Sequence, residues 1–381
     1  MFPTKRVSGI VKLLHTAKRN RPKLNKRVPN GCLFAPLQNG RQITHSHPLD
    51  DEAEYRRFLR EDLLAECEYF VRDLPLYRNN MVRMLKYTVP AFHPCWTYGP
   101  ELVYRFVAPK EIQTRENLTK CRILRCCVEL KFACSAVIDD IADASDMRQG
   151  KPSWRMEGAS TAVFDGMFLD TLPYFLLKKH FKKAKGYVRM HETLSRASMD
   201  LIIGESLDTI SQKNIDALSG KTYSDIVRYK AGRFVSMQAA LGMLHAGILD
   251  EELLQKAENI FCDTGELIQI WDDFCDYYCS SSQTGKPSCD LKNAGTTWAS
   301  SVALEYFSEA EKITFNECYG SEDPDKMETV RLLYDKIDLP NIYVEFMQNR
   351  RMLCKRKIED LQHVGLQEAC NSWLHWLLGD V

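Results

Sequence analysis

The sequence predicts an all-α fold built as a large helical bundle. From about Asp50 to the C-terminus, apolar residues recur at the 3.6-residue period of a helix, and few runs alternate in the manner of strands. No repeat of fixed period and no long Gly, Ser or Pro linker interrupts this pattern. Residues 50–381 are therefore expected to form one domain.

Two long helices are expected at the centre of the bundle. The clearest runs from about Leu253 to Tyr278, and another from about Asn117 to Asp143. Both exceed the usual length of about eleven or twelve residues, which favours a bundle whose central cavity is lined by several helices. Each is followed by a predicted loop, one after Asp143 and one over residues 280–288, where a loop could close over a site.

The first 49 residues differ in composition from the rest. Ten of the chain's 51 basic residues lie there with no Asp or Glu, so the body carries 41 basic against 51 acidic side chains. An acidic body argues against a general nucleic-acid surface. Because apolar residues from Val7 to Leu14 follow helical spacing, the segment has the pattern of a mitochondrial transit peptide, with a disordered basic tail as the equal alternative.

Cysteine usage and hydropathy bear on location. The fourteen cysteines are scattered and form no CxxC pair, which is typical of reduced, mostly buried thiols in an intracellular protein. No stretch approaches eighteen apolar residues, so no membrane span is expected. The predicted location is intracellular, either mitochondrial or cytoplasmic.

Two copies of the pattern DDxxD, VIDDIAD and IWDDFCD, lie near the C-terminal ends of the two long helices. Their six carboxylates are the predicted metal ligands: Asp139, Asp140, Asp143, Asp272, Asp273 and Asp276. Carboxylates four apart at the negative end of a helix dipole repel one another and need a cation. A solvated helix end would explain one copy, but two copies on apolar helices favour magnesium gripping a diphosphate.

Basic residues complete the predicted site. Arg148 lies five residues beyond the first cluster, Lys286 lies ten beyond the second, and Lys230 lies in the helical segment DIVRYKAGRF. Each alone is typical of a surface charge. Together they could stabilise the charge that develops on a departing diphosphate.

The blocks CVELKFACSAVIDDIADASDMRQGKPSW, YKAGRF and GELIQIWDDFCDYYCSSSQTGKPSCD resemble those of farnesyl diphosphate synthases, from about Val89 to Trp298. The resemblance implies the isoprenoid synthase fold of class I terpenoid synthases, three Mg²⁺ ions and an allylic diphosphate substrate. The implied catalytic residues are Asp139, Asp143, Asp272, Arg148, Lys230 and Lys286. The implied substrate contacts are Arg148, Lys230, Gln269 and Lys286.

The sequence departs from this family where the second substrate, isopentenyl diphosphate, would bind. His93, Trp96, Phe132, Gln149 and Gly295 replace a Lys, an Arg, a Gln, an Arg and a Lys of the family. The lost charge-assisted hydrogen bonds are each worth about 1.5–3 kcal/mol, so elongation is expected to be lost. This pattern is similar to insect-type terpene synthases, which resemble farnesyl diphosphate synthases.

The predicted function is therefore that of a terpene synthase. It would ionise farnesyl diphosphate and release diphosphate with a sesquiterpene or sesquiterpene alcohol, of bisabolane type. The small side chains of Cys134 and Ser135, just before the first cluster, favour the fifteen-carbon substrate over geranyl diphosphate. Phe132, Trp96 and Trp271 could shield a carbocation, with Phe132 also contacting substrate, or could be ordinary core aromatics.

Two alternatives remain open. One is a farnesyl or geranyl diphosphate synthase that uses substitutes for the lost cations, for example His93. The other is a non-catalytic partner of a prenyltransferase. Two intact acidic clusters beside an altered second-substrate site argue against both. A homodimer is expected, because this fold usually dimerises.

Overall fold

The computed structural model describes residues 52–89, 94–212, 214, 218–279 and 290–378. The predicted extension over residues 1–49, the loop over 280–288, His93 and Lys286 all lie outside these ranges. Within them the chain is almost entirely helical, as predicted.

The helices of the first half lead to the first aspartate cluster and back. They are α1 (Glu52–Arg60), α2 (Asp62–Val71), α3 (Pro75–Thr88), α4 (Gly99–Val107), α5 (Arg115–Ala142), α6 (Ala159–Phe181) and α7 (Tyr187–Ser211). Short 3-10 turns occupy Pro94–Thr97, Lys110–Ile112 and Trp154–Glu157.

The helices of the second half include the one that carries the second cluster. They are α8 (Gly220–Val227), α9 (Arg233–His245), α10 (Glu251–Tyr278), α11 (Asp290–Asn293), α12 (Trp298–Tyr306), α13 (Glu309–Cys318), α14 (Pro324–Lys336), α15 (Leu339–Glu359) and α16 (Val364–Leu378). A π-helical turn, Arg228–Gly232, joins α8 to α9.

Helices α5 and α10 are the two predicted long helices, and each spans 28 residues. Both begin at a side-chain cap, since Thr114 accepts a hydrogen bond from the Asn117 amide and Asp250 accepts one from the Leu253 amide. The predicted boundaries are correct within about two residues, the usual uncertainty of helix ends.

Helix α9 lies at the centre of the bundle and packs against α4, α7 and α10. Its residues from Met237 to Leu244 are all buried, as expected for a helix that is apolar on every side. Helix α5 packs along α6. Among the described helices, none is long and apolar enough to cross a bilayer.

A small antiparallel hairpin follows α5, where the sequence predicted a loop. Its strands are β1 (Met147–Arg148) and β2 (Lys151–Pro152). Gln149 and Gly150 connect them with φ angles of 53° and 73°, which suits the two-residue turn of a tight hairpin. Strands of two residues are too short to show alternation in a sequence, so the pattern could not predict them.

Candidate active site

The hairpin turns Arg148 back onto the first aspartate cluster. Its guanidinium donates to Asp139 Oδ2 at 2.6 Å and to Asp140 Oδ1 at 2.7 Å. Asp140 is 2% exposed and Asp139 is 18% exposed, so the pair with Asp139 lies nearer the open side of the cluster. Arg148 therefore lies at the first cluster, and its contact with substrate stays a prediction.

Lys230 meets the same cluster from the opposite side. Its ammonium lies 3.0 Å from Asp139 Oδ1, 2.9 Å from Glu205 Oε2 and 2.8 Å from Asp208 Oδ2. Burial opposes the charged form, but the three carboxylates raise the pKa of Lys230 well above its ordinary value. Lys230 is thus a fixed positive charge beside Asp139.

The backbone around Lys230 explains how it reaches this position. A π-helical turn widens the chain at Arg228–Gly232, a feature often found at functional sites. Helix α7 approaches this turn so closely that a Cβ on Gly204 would lie 2.3 Å from the Lys230 amide nitrogen. On the other side, a Cβ on Gly232 would lie 2.9 Å from the Cys262 carbonyl oxygen of α10. Glycine at both positions lets α7 and α10 hold the turn between them.

Acidic side chains from α5 and α7 converge at this point. Burial raises the pKa of Glu205 to about 7. Burial, reinforced by the charge of Asp139, raises the pKa of Asp143 to about 6. Such shifts show that the negative charge concentrated here would be stabilised by further positive charge.

The second cluster divides into one accessible and two buried carboxylates. Asp272 is partly exposed, whereas Asp273 and Asp276 are each 5% exposed. Asp273 Oδ2 accepts from the Trp298 amide at 2.9 Å, and Asp276 Oδ2 accepts from the Asp290 amide at 3.1 Å. Asp273 and Asp276 therefore anchor α12 and α11 to α10, a structural role that the sequence did not predict.

Gln269 belongs to the second cluster. Its amide donates to Asp273 Oδ1 at 2.9 Å, so that both oxygens of Asp273 are hydrogen-bonded. Burial nevertheless raises the pKa of Asp273 to about 6. The predicted contact of Gln269 with a diphosphate stays a prediction, and in this structure Gln269 orients a carboxylate.

Three polar residues of this site escaped the sequence prediction. They are Glu205 and Asp208 of α7, and Gln212, whose amide donates to Asp143 Oδ1 at 3.3 Å. The segment IIGESLD contained a signal, because two acids three apart in a largely apolar stretch share one face of a helix.

The described positions of the second-substrate site carry no positive charge. Phe132 is buried and packs edge-on against Phe234, with ring centroids 4.9 Å apart. Gln149 is exposed at the hairpin turn, and Gly295 is buried with its carbonyl accepting from the Tyr319 hydroxyl at 2.6 Å. Trp96 is partly exposed, and its carbonyl accepts from Gln238.

Within the described ranges, no three His, Cys, Asp or Glu side chains converge into a group that could hold a metal ion by themselves. The donor set nevertheless suits a hard cation. The groups available to such a cation are carboxylate oxygens, and the partly buried Asp143 lies beside the like charge of Asp139.

This fold and these motifs define a class of protein. A model of the polyprenyl synthetase family matches residues 100–337, and the chain belongs to that family. Among solved structures, T. brucei farnesyl diphosphate synthase complexed with risedronate shares the fold with a TM-score of 0.79 and 21% identity. The superposition covers 88% of this chain and 99% of that one.

Curated relatives of this chain include proteins named as sesquiterpene synthases. A sesquiterpene alcohol synthase of Murgantia histrionica is 41% identical over 96% of this chain and 94% of its own length. An IDS-type sesquiterpene synthase of Nezara viridula is 32% identical over 91% of this chain and 93% of its own length. A farnesyl pyrophosphate synthase of Murgantia histrionica is 30% identical over 72% of this chain and 69% of its own length. The comparisons confirm the predicted family, the isoprenoid synthase fold and the predicted class of enzyme.

Proposed function

We propose that this protein is a magnesium-dependent terpene synthase. It ionises farnesyl diphosphate and releases a sesquiterpene or sesquiterpene alcohol together with diphosphate. The observation that carries this proposal is the asymmetry of the site. Acidic and basic groups for one diphosphate surround Asp139, whereas Phe132, Gln149 and Gly295 provide no charge for a second one.

Arg148 and Lys230 are the cations proposed to receive the departing diphosphate. Both lie within 3.0 Å of Asp139 carboxylate oxygens, on opposite sides of that residue. Positive charge fixed where negative charge develops lowers the barrier, because it needs no reorganisation when the bond breaks. Lys286 is proposed to join them from outside the described residues.

The proposed metal ligands are Asp139 on α5, Asp143 at the C-terminal cap of α5, and Asp272 on α10, with three Mg²⁺ ions in total. When bound, magnesium would supply positive charge to the diphosphate oxygens as the carbon–oxygen bond breaks. Protein sites commonly bind Mg²⁺ through one or two carboxylates completed by substrate oxygens and water. The accessible carboxylates Asp139 and Asp272 suit that arrangement, whereas buried Asp273 and Asp276 serve better as anchors.

The same positions explain why isopentenyl diphosphate, the second substrate of the family, is not expected to bind. A free isopentenyl diphosphate would meet the Phe132–Phe234 pair instead of a polar side chain. The allylic cation then reacts with its own double bonds, with water, or by losing a proton. The name of the Murgantia histrionica relative, a sesquiterpene alcohol synthase, supports capture by water as the last step.

A homodimer is proposed from the surface of α6 and α7. Large apolar side chains are exposed there, including Phe164 at 69%, Met167 at 59% and Ile202 at 59%. Large apolar side chains that are exposed on a surface favour a protein contact. Size-exclusion chromatography with light scattering should give twice the mass of the 44.0 kDa chain.

Two assays test the function. Purified protein with farnesyl diphosphate and Mg²⁺ should release a fifteen-carbon terpene, detected by gas chromatography with mass detection, and inorganic diphosphate. Geranyl diphosphate with isopentenyl diphosphate should give little or no farnesyl diphosphate. Efficient condensation in the second assay would establish the elongase alternative, and no turnover in either would favour a non-catalytic partner.

Restoring the replaced residues tests whether these positions account for the lost binding of isopentenyl diphosphate. His93→Lys, Trp96→Arg and Gln149→Arg together restore three of the four cations of the family. Partial recovery of isopentenyl diphosphate binding is expected, because Phe132 still replaces a polar side chain. No recovery at all would show that these positions do not account for the loss.

A further inference from the structure

Two cysteines meet at the C-terminal end of α10. Cys275 lies in the last turn of this helix, and Cys279 is the residue that caps it. Their Sγ atoms lie 2.9 Å apart, and the Cys279 amide donates to the Cys275 carbonyl at 2.9 Å. Because a disulfide bond is about 2.05 Å long, the two sulfurs need to approach by about 0.9 Å to form one. An intramolecular disulfide is therefore within reach of these two thiols.

The two thiols differ in their access to solvent. Cys279 is partly exposed, whereas Cys275 is 2% exposed. Among the cysteines that the structure describes, all except Cys279 are buried. Burial raises the pKa of the Cys67 and Cys354 thiols to about 12, which keeps them in the unreactive protonated form. A dissolved oxidant therefore reaches Cys279 first, and Cys275 is the neighbour positioned to react next.

The pair lies beside the second aspartate cluster. Cys275 directly precedes Asp276, and Cys279 is the last described residue before the segment that contains Lys286. Asp276 Oδ2 accepts a hydrogen bond from the Asp290 amide, so this turn of α10 also holds the start of α11. A covalent bond between the two sulfurs would therefore act on the end of α10 that carries the cluster.

We propose that Cys275 and Cys279 form a reversible disulfide that lowers turnover, with a peroxide as the oxidant. The Cys279 sulfur attacks hydrogen peroxide, the oxygen–oxygen bond breaks, and a sulfenic acid and one water form. The Cys275 sulfur then attacks the sulfenic sulfur. The sulfur–sulfur bond forms, and the sulfenic hydroxyl leaves as a second water with the Cys275 proton. The two thiols lose two electrons to the peroxide, and a dithiol such as dithiothreitol returns them.

Formation of this bond should displace the end of α10. The Cβ atoms of helical residues four apart are about 5–6 Å apart, whereas those of a disulfide are about 3.5–4.5 Å apart. Cys279 has to move by about 1 Å, because it ends the helix while Cys275 is packed in the core. A shift of about 1 Å can cost about a hundredfold in rate, and about tenfold is expected for residues that hold no substrate. This effect on turnover rests on the proposed function, whereas the bond itself does not.

Mapping of the bond tests the site. The reduced protein is treated with hydrogen peroxide, the remaining thiols are alkylated, and the product is digested with chymotrypsin, which cleaves after aromatic residues such as Tyr278. Cys275 and Cys279 then lie on separate peptides, which should stay joined until a reductant is added. A bond from Cys279 to Cys289, which lies outside the described residues, would overturn the proposal. So would the absence of any linked pair.

Turnover of farnesyl diphosphate with Mg²⁺ is measured before and after oxidation. The wild type should lose about tenfold in kcat and regain it with dithiothreitol. Cys279→Ser should be insensitive, whereas Cys262→Ser, which removes another buried thiol of α10, should respond like the wild type. An equal loss in Cys279→Ser would overturn the proposal, because oxidation elsewhere would then explain it. A complete bond between Cys275 and Cys279 that leaves kcat unchanged would also overturn it.

The mapped bond keeps this proposal separate from the proposed function. If the wild type does not consume farnesyl diphosphate, the proposed function fails, whereas the linked peptides still establish the disulfide. If Cys279→Ser does not fold, as judged by circular dichroism, the wild type alone decides. A loss of kcat that parallels the linked fraction then supports the proposal, and a loss without linked peptides overturns it.

Discussion

Gly204 of α7 faces the π-helical turn that carries Lys230. A Cβ atom added there would lie 2.3 Å from the Lys230 amide nitrogen and 2.5 Å from its Cα, whereas an ordinary Cβ contact lies at 3.4–4 Å. Gly204→Ala must therefore separate α7 from the turn by about 1 Å, the difference between 2.3 and 3.4 Å. Backbone atoms form the contact, so no side-chain rotation can relieve it.

Gly204→Ala should lower both the free energy of unfolding and the turnover. Overpacking of this kind costs about 1–3 kcal/mol of the free energy of unfolding. Glu205 and Asp208 belong to α7, so the same movement withdraws two of the carboxylates that hold the Lys230 ammonium. A displacement of about 1 Å in a catalytic group can lower turnover about a hundredfold. The variant should fold, melt at a lower temperature and lose most of its turnover.

Gly220→Ala is the control, because its added Cβ would meet only the end of the Glu305 side chain, at 3.4 Å. Its free energy of unfolding should change by less than about 0.5 kcal/mol. Urea unfolding and farnesyl diphosphate turnover should be measured on the same preparations. Wild-type turnover in Gly204→Ala would refute the idea that this close approach positions Lys230.

Three further predictions use the same assay. Asp139→Ala or Asp272→Ala should abolish turnover with an unchanged circular dichroism spectrum; near wild-type turnover, or activity in excess chelator, would contradict the metal site. Lys230→Met should lower kcat by about a hundred- to a thousandfold, and a smaller loss would mean that Lys230 does not stabilise the departing diphosphate. Deleting residues 1–45 should leave a soluble, active enzyme, and an inactive product would show that the segment belongs to the fold.

The sequence predicted the features that depend on local periodicity. Helices α5 and α10 each bury a long apolar face, so the spacing of their residues located them, and with them the two clusters that begin at Asp139 and Asp272. The positions of the basic residues along the chain added Arg148 and Lys230 to the predicted site, and the structure brings both to opposite sides of Asp139.

Features that depend on contact between distant segments were missed. The partnership of Lys230 with Glu205 and Asp208 requires α7 to approach a π-helical turn, which Gly204 permits and no periodic pattern encodes. For the same reason the DDxxD spacing made all six aspartates predicted metal ligands. Only the positions of α11 and α12 reveal that Asp273 and Asp276 accept backbone hydrogen bonds.

Because Asp273 is buried and Asp272 is partly exposed, substitutions of these two neighbours should differ in their effect on the free energy of unfolding. Asp273→Ala removes both hydrogen-bond acceptors of a buried carboxylate and leaves the amide of Trp298, at the start of α12, without its partner. An unsatisfied buried donor costs about 1–3 kcal/mol, so the free energy of unfolding should fall by about 2 kcal/mol. Asp272→Ala, at a partly exposed position one residue away, should change it by less than about 0.5 kcal/mol while abolishing turnover. Equal losses of stability in urea unfolding would show that the bond to Trp298 contributes nothing, and that both aspartates act only on the ligand side.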